Sequence, residues 1–519
     1  MPDRRAPDEN TTIPETPTAP KNPTAVGTAD AVGAMAGALD QAGALDQAVC
    51  EGGVAGEGWA AGDGPLRVLH VSQPNAGGVA VYVAQAAGDQ RRRGWDVAVA
   101  CPPGGDLSAR CAAAGVPWFK WPAGRAPGPA TLAESLHLRR LVKGFAPDVV
   151  HLHSAKAGLA GRLLLRPRGV PTIFQPHGWS WLAADGAQEA ASRRWERLAA
   201  RWTDALVCVG TGELREGMGA GVRGPFRLVR SGVDRRRFRP AGAAARRAAR
   251  TRLGLPPSMP LAVCIGRVTR QKGQDVLVEA WPDVVERCPS ARLAVIGDGE
   301  EADALKRVAG AEVLFVPAVA DPRDWLAASD VVVLPSRWEG LPLTALEALA
   351  TGRPIVGTDI PGIAEVVGPG TGALVPVDDP AALAAEVAAR FLLPGLAAQE
   401  GRQAAEAAAA YDLGRTAELL AAVTRAAAGR GEAPVEALVD VRAVAGGGLG
   451  AGRAGSAGGA GEAAGDGAAD GVPAPEAPDG ASPDGASPDG ASPDGGEAVG
   501  AAGVSVDGGG AVTPPNSAR

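Results

Sequence analysis

Between residues 65 and 427 the chain alternates short, uninterrupted apolar runs with longer stretches in which apolar residues return at helical spacing. An uninterrupted apolar run bounded by turn residues is the pattern of a strand buried on both faces. The first set of runs falls at 66–72, 96–100, 118–121, 148–153, 172–175, 205–209 and 226–229. A basic, Ala-rich segment follows, and the alternation then restarts at 261–265, 291–296, 313–316, 331–334, 354–356 and 373–375. Strands separated by helical patterns predict parallel sheets covered by helices, so the expected fold class is α/β with two doubly wound, Rossmann-like units. Ligands of such sheets bind beyond the carboxyl ends of the strands, which makes the cleft between the two units the expected site. The last pattern, 383–428, is helical and broken near Pro394-Gly395, and its end at 411–427 is expected to pack back on the first unit.

Composition limits how much of the chain enters those units. Residues 1–64 are rich in Ala, Gly, Pro, Thr and Asp and carry tandem Gly-Ala-Leu-Asp-Gln-Ala copies at 37–42 and 43–48. From 431 to 519 the chain is Gly/Ala/Pro/Asp, with Ala-Ser-Pro-Asp-Gly units repeated between Ala481 and Gly495. Too few large apolar residues are present to offset the entropy of ordering, so both tails are expected to be disordered. Between them the expected divisions are a first unit over 65–232, a linker over 233–258, a second unit over 259–410 and the returning helix over 411–430.

Charge divides along the same lines. The stretches 1–63 and 431–519 hold 23 acidic and 6 basic residues, a balance of −17, so the overall −7 conceals a body at +10. A basic body favours anionic ligands: nucleotide phosphates, an anionic lipid surface or nucleic acid. Nucleic acid is not expected, because no aromatic-basic stacking motif or reading module is present. Only six residues are Lys, so an Arg cluster alone says little, and a Lys in a loop says more. The six cysteines, Cys50, Cys101, Cys111, Cys208, Cys264 and Cys288, show no metal spacing and read as free thiols of a reducing compartment. No apolar run reaches membrane-spanning length and no basic start precedes an apolar core, so a cytoplasmic protein is expected.

Candidate chemistry gathers where predicted strands end. Gly77-Gly78 follows the first strand and opens a helix, where amides and the helix dipole receive a phosphate or hydroxyl, although a tight turn needs the same residues. His151 and His153 share one face of a strand, but no third ligand with plausible spacing is visible, so a packed strand end is preferred to a metal. His177 lies just past another strand, in Gln175-Pro176-His177-Gly178-Trp179. Gly266-Arg267-Val268-Thr269-Arg270-Gln271-Lys272-Gly273 follows the first strand of the second unit and combines a planar fork with a point charge, a pairing suited to a diphosphate. Gly297-Asp298-Gly299 reads as a structural turn. Glu339 stands in a Gly/Pro loop and Glu347 in the helix after it; on one helix they would be roughly 12 Å apart along the axis, which suits one extended polar ligand. For Glu347 a competing role remains open: Thr344-Ala345-Leu346-Glu347 is also a capping-box pattern.

Together these residues resemble the retaining glycosyltransferases of family 4 (glycosyl transferases group 1), which have the GT-B fold. The resemblance covers about residues 65–427. It is carried by Glu339 through Glu347 with Gly340, Leu341 and Pro342 between them, by Gly266-Arg267 with Lys272-Gly273, by Gly77-Gly78, by His177-Gly178, and by Gly232-Val233-Asp234 before Phe238 and Pro240. Ser231 stands where the family often has Asn. The resemblance implies a sugar donor activated as a nucleotide diphosphate, a co-substrate rather than a cofactor. Arg267, Lys272 and Gly78 would attend the diphosphate, Glu339 the sugar, Glu347 the ribose hydroxyls, and the amides around Gly340 and Leu341 the sugar and phosphate. His177 would approach the donor from the first unit; with Glu339 it is the implied catalytic pair. No metal is expected, since no Asp-x-Asp pair is present.

The acceptor side is less explicit. Lys156, Arg162, Arg166 and Arg168 with Leu159, Leu163 and Leu164 suggest a helix that touches an anionic membrane carrying a lipid-linked acceptor, or an ordinary amphipathic helix. Trp179, Trp181, Trp195 and Trp202 suit sugar stacking and core packing equally. Beside transfer to a sugar or lipid-linked acceptor stand two other readings: a sugar-nucleotide epimerase of the same architecture and a nucleotide-binding scaffold with acidic tails.

Overall fold

The computed structural model describes residues 64–164 and 169–438; the low-complexity tails, Cys50, Arg166 and Arg168 fall outside that range. Each predicted run is a strand, and every strand pair is parallel. The first sheet has the order β3-β2-β1-β4-β5-β6-β7, from β1 (Arg67–Ser72), β2 (Asp96–Cys101), β3 (Trp118–Lys120), β4 (Val149–His153), β5 (Thr172–Gln175), β6 (Ala205–Cys208) and β7 (Phe226–Leu228). The second has the order β10-β9-β8-β11-β12-β13, from β8 (Leu261–Ile265), β9 (Arg292–Ile296), β10 (Val313–Val316), β11 (Val331–Leu334), β12 (Ile355–Thr358) and β13 (Gly372–Val375). The helices used below are α1 (Gly77–Arg92), α2 (Ala130–Phe145), α3 (Ser154–Leu164), α4 (Thr211–Gly219), α5 (Gln274–Arg287), α6 (Leu343–Thr351) and α7 (Leu413–Ala427).

Central strands are apolar on both faces because helices cover both: Val149, Val150 and Leu152 of β4, and all of Val331 to Val333 in β11, have no exposed surface. Strand order reverses between β1 and β4 in one sheet and between β8 and β11 in the other. At such a reversal the helices leave for opposite faces, and a crevice opens at the carboxyl ends.

The chain leaves the first lobe along Val233, whose amide donates to Tyr411 O at 2.8 Å, and comes back as α7. Leu420, Ala421 and Val423 of α7 join Val83 and Ala87 of α1 in the first lobe's core. Order continues beyond the expected limit of 431: Val435–Ala437 forms a 3-10 turn, Leu438 bridges Arg227, and Ala437 is fully buried. Ala437 is what this segment buries on the sheet edge, while Val435 and Leu438 stay exposed. No single described helix is long and apolar enough to cross a membrane.

Two expectations about the first lobe change. Lys156 and Arg162 do not form a basic outer face. Lys156 Nζ lies 2.6 Å from Glu134, and Arg162 meets Glu196 at 2.7 Å with side-chain exposures of 0 and 2%. Arg162 also lies over the Phe174 ring at 3.7 Å, an internal cation–π contact. The tryptophans divide as well: Trp179 and Trp181 are buried and stacked, their ring centres 4.5 Å apart, so core packing explains them. Trp195 and Trp202 meet edge to face and are half-buried. All five described cysteines are free thiols, four of them buried.

Candidate active site between the lobes

The second lobe brings its candidate residues together at its strand reversal. The loop after β8 carries Arg267 to Lys272, and the loop after β11 carries Ser336 to Leu341. They are stitched to each other: Arg337 N donates to Gln271 O at 2.8 Å and Gln271 Nε2 to Trp338 O at 3.0 Å. Gly273 makes the crossing possible, since its φ of +65° is left-handed and a Cβ there would lie 1.9 Å from Pro335 O. Gln274, fully buried at the start of α5, donates to Arg267 O at 2.9 Å and so holds the loop from behind. Gly299 also acts structurally, as a Cβ on it would meet Val268 O at 2.0 Å.

At the crossing Lys272 Nζ lies 2.5 Å from Glu339 Oε1, with side-chain exposures of 18 and 10%. Ser336 Oγ donates to the same oxygen at 3.0 Å. Arg267 makes only a long contact to Gln271, at 3.4 Å, and burial lowers its pKa. Its guanidinium therefore remains a largely uncommitted fork of donors.

Glu347 answers the capping question. Helix α6 starts at Leu343 behind Pro342, its cap makes no side-chain hydrogen bond, and Thr344 Oγ1 donates to Ile265 O at 3.4 Å. No capping box forms, because the helix starts two positions too early, with Pro342 rather than Thr344 at the cap. Its carboxyl has no hydrogen-bond partner among the described residues, and burial raises its pKa to about 7. The helix ends at Gly352 in the left-handed conformation, as the Thr351-Gly352 signal predicts.

The first lobe meets these loops with backbone. A Cβ on Gly77 would lie 4.0 Å from the Arg267 side chain, and one on Gly78 would lie 4.0 Å from Leu343. A Cβ on Gly340 would lie 3.2 Å from Gly178 N and 3.4 Å from the carbonyl carbon of His177. The Gly77-Gly78 and His177-Gly178 turns thus face Arg267, Gly340 and the start of α6. Leu341 is buried in the second lobe's core, so only its backbone is offered to a ligand.

His177 itself is left-handed, with φ +54°, a conformation uncommon outside Gly and a marker of functional constraint. Two carboxylates that the sequence does not single out keep this side of the seam in place. Glu213 of α4 accepts from Gly178 N at 2.5 Å and Val209 N at 2.7 Å, and its backbone carbonyl accepts from Trp179 Nε1 at 2.7 Å. Burial raises Glu213 to about 7 against the pull of those two amides. Glu365 of the second lobe accepts from Thr211 N at 2.6 Å and Gly212 N at 3.3 Å, at the start of α4, and from Arg230 Nε at 2.7 Å. A carboxylate on a helix N-terminus is electrostatically favourable, and here it joins the lobes. Apart from Val209, four residues before Glu213, these partners lie in elements far along the chain, so local spacing does not mark either carboxylate.

The metal question also changes. His70, from the strand beside β4, supplies the third imidazole that sequence spacing did not show: ligand atoms of His70, His151 and His153 lie within 4.8 Å of one another. Parallel pairing places His70 opposite His151, a neighbour relation that spans 81 residues of sequence. A separate cavity of about 920 Å³, lined by Arg246, Asp330, Arg353 and Arg390 among others, lies on the second lobe and contains none of the candidate residues.

Comparison with known proteins agrees with this geometry. Residues 259–391 match the description "Glycosyl transferases group 1" and residues 77–232 match "Glycosyl transferase 4-like domain". The chain is 32% identical over 302 residues to D-inositol 3-phosphate glycosyltransferase 2 of Catenulispora acidiphila, covering 53% of this chain and 70% of that protein. It is 31% identical over 247 residues to the GDP-mannose-dependent monoacylated alpha-(1-6)-phosphatidylinositol monomannoside mannosyltransferase of Corynebacterium glutamicum, covering 45 and 62%. Among solved structures it resembles sucrose-phosphate synthase from Thermosynechococcus elongatus, with TM-score 0.61, 21% identity and coverage of 70 and 98%. It also resembles Anabaena Alr3699/HepE in complex with UDP and glucose, with TM-score 0.60, 19% identity and coverage of 69 and 98%. Two parallel-sheet lobes meeting at their strand reversals, one matching the 4-like and the other the group 1 glycosyl transferase description, make this chain a GT-B-fold, nucleotide-sugar-dependent glycosyltransferase that belongs to the group 1 glycosyl transferases.

Proposed function

We propose that the chain transfers a hexosyl-type sugar, with retention of anomeric configuration, from a nucleoside diphosphate sugar to an acceptor hydroxyl in polysaccharide or glycolipid biosynthesis. The observation that carries this reading is the Lys272–Glu339 contact at the crossing of two strand-end loops, with Arg267 uncommitted beside it. Arg267 and Lys272 hold the diphosphate and offset the charge that develops as it leaves, fixed donors being worth most where charge grows in a site shielded from water. In the free enzyme Glu339 neutralises Lys272; when the diphosphate takes over that charge, the carboxylate is released toward the sugar hydroxyls. Glu347, without a protein partner, accepts from the ribose. Amides of Gly78, Gly340 and Leu341 line the phosphate and sugar, and His177 reaches the sugar from the first lobe. Transfer proceeds by front-face attack without a protein nucleophile and without a metal.

The acceptor docks on the first lobe. On α2 the exposed residues Leu132, Leu136, Arg139, Arg140 and Lys143 fall on one face at helical spacing, while the acid of that helix, Glu134, is buried and paired. We place peripheral contact with an anionic inner membrane surface there, on α2 rather than on α3, whose cations are internal. A cytoplasmic location and a lipid-linked acceptor are part of the same proposal.

A thermal-shift screen of UDP-, GDP- and ADP-sugars tests the reading, because a ligand that binds only the native state raises its melting temperature. One donor is expected to stabilise the protein and to be slowly hydrolysed without acceptor. No response to any of the three would overturn the proposal, and a rearranged sugar formed from donor alone would replace it with an epimerase.

A further inference from the structure

Four of the chain's five histidines converge behind His177. Three hydrogen bonds join Gln90, His70, His153 and His177 in series, and His151 stands outside it. His70 Nε2 meets Gln90 Oε1 at 2.8 Å, His70 Nδ1 meets His153 Nε2 at 2.9 Å, and His153 Nδ1 meets His177 Nε2 at 3.0 Å. The series runs from α1, through adjacent strands β1 and β4, to the turn after β5. Gln90, His70 and His153 are buried, whereas His177 is half-buried at the seam. Burial lowers His70 to about 4 and His177 to about 3, and holds His151 and His153 well below the usual range, so all four rings are neutral near pH 7.

A neutral imidazole has one N–H and one lone pair. Each bond in the series needs one of each, so the proton on every ring is set by the ring before it. The end group decides the direction. Gln90 Oε1 can only accept, which puts the His70 proton on Nε2 and leaves Nδ1 to accept from His153 Nε2–H. His153 Nδ1 then accepts from His177 Nε2–H, and His177 Nδ1 is left as a bare lone pair. That atom has no protein partner among the described residues and, unlike both nitrogens of His151, it is not buried without one.

We propose that Gln90, His70 and His153 are positioning residues whose hydrogen-bond relay fixes His177 as its Nε2–H tautomer, presenting Nδ1 as an acceptor for a hydroxyl of the donor sugar. The second half of this statement rests on the donor site proposed above; the first half does not. The relay makes sugar choice depend on a buried amide three residues removed from the ligand. A sugar with a hydroxyl facing Nδ1 is accepted, and its deoxy analogue is penalised. The same geometry argues against a metal within the three-histidine cluster, because His70 Nδ1 and His153 Nε2 are spent on each other and only His151 is free. His151 stacks on His153 with ring centres 4.0 Å apart and serves as its packing surface.

With so few histidines, long-range ¹⁵N–¹H spectra of the full chain labelled at histidine read each tautomer directly, without donor. His70, His153 and His177 are expected as neutral Nε2–H rings at pH 7. In Gln90→Met, which keeps volume but removes the acceptor, His177 is expected to become a mixture of tautomers, and kcat/KM for the donor to fall about tenfold in a protein that circular dichroism still reports as folded. Gln90→Glu, which keeps an acceptor at that place, is expected to restore the wild-type His177 spectrum. An Nδ1–H tautomer at wild-type His177, or an unchanged tautomer in Gln90→Met, would overturn the relay while leaving the donor site intact. So would zinc alone raising the melting temperature and shifting the His70, His151 and His153 signals. Tautomer mixing with unchanged donor kinetics would instead remove His177 from the donor site and leave the relay standing.

Discussion

The two faces of the seam solve opposite problems. The second lobe offers charge near its strand ends: Arg267, Lys272 and Glu339 on loops and Glu347 on helix α6, in partly accessible positions where a diphosphate can replace one partner of an ion pair. The first lobe offers neutrality on regular elements: Gly77-Gly78, the His177-Gly178 turn and four uncharged imidazoles backed by a sheet. A charged loop adapts to an anionic ligand at modest cost because its charges stay near water. A neutral, strand-backed face can approach the same ligand without stripping water from a charge of its own. The contrast implies that binding of the nucleotide and recognition of the sugar are separable by mutation.

The largest expected effect is on the charged side. Lys272→Ala and Glu339→Ala should each reduce transfer at least about a thousandfold, since each removes a contact that strengthens as charge moves. Circular dichroism should still report a folded body, and near-normal turnover in either variant would erase the contrast between the faces. Next comes Glu213→Gln, on the neutral side. Both oxygens of Glu213 accept from backbone amides, so a side-chain NH₂ must face one of those donors, at a cost of about 1–3 kcal/mol. A lower melting temperature with donor kcat/KM reduced less than in Lys272→Ala is expected; an unchanged melting temperature would deny Glu213 its place beneath the His177 turn.

Glu347 gives a pH-dependent effect. Burial lifts its pKa to about 7, so the free enzyme carries a proton there below that pH and a full acceptor above it. Donor affinity should therefore rise about tenfold between about pH 6 and about pH 8, and Glu347→Gln should flatten the curve at its weak end. The sign for stability is the reverse: a carboxyl whose pKa is raised on folding favours the folded state at low pH, and that share is lost as pH climbs from the unfolded value through about 7. A pH-independent donor affinity in the native protein would remove Glu347 from the nucleotide site. The smallest effect is expected far from the seam. Replacing Arg139, Arg140 and Lys143 with Glu should weaken sedimentation with anionic vesicles about tenfold or more while leaving turnover of a soluble acceptor unchanged. Equal vesicle binding by the charge-reversed protein would discard α2 as a membrane face.

How far the sequence announced all this also differs between the faces. Strand runs were legible throughout because a strand covered on both sides is written as a local apolar run, as in Val331 to Leu334. On the second lobe the site was legible too, since Arg267 through Lys272 and Glu339 through Glu347 lie in short segments whose spacing is itself the signal. The first lobe hid its machinery in sheet register. His70 meets His153 across 83 residues and Glu213 meets Gly178 across 35, and no local period encodes either meeting. Lys156 and Arg162 misled for the same reason: their partners Glu134 and Glu196 arrive from other helices and turn an outer basic stripe into an internal one.

Calorimetric titration with the nucleoside diphosphate product, free of sugar, tests the division most directly. The account predicts that Lys272→Ala weakens binding about 10- to 100-fold, the loss of a charge-assisted contact, while Gln90→Met binds as the wild type does. Undiminished binding by Lys272→Ala, or an equal loss in both variants, would contradict it.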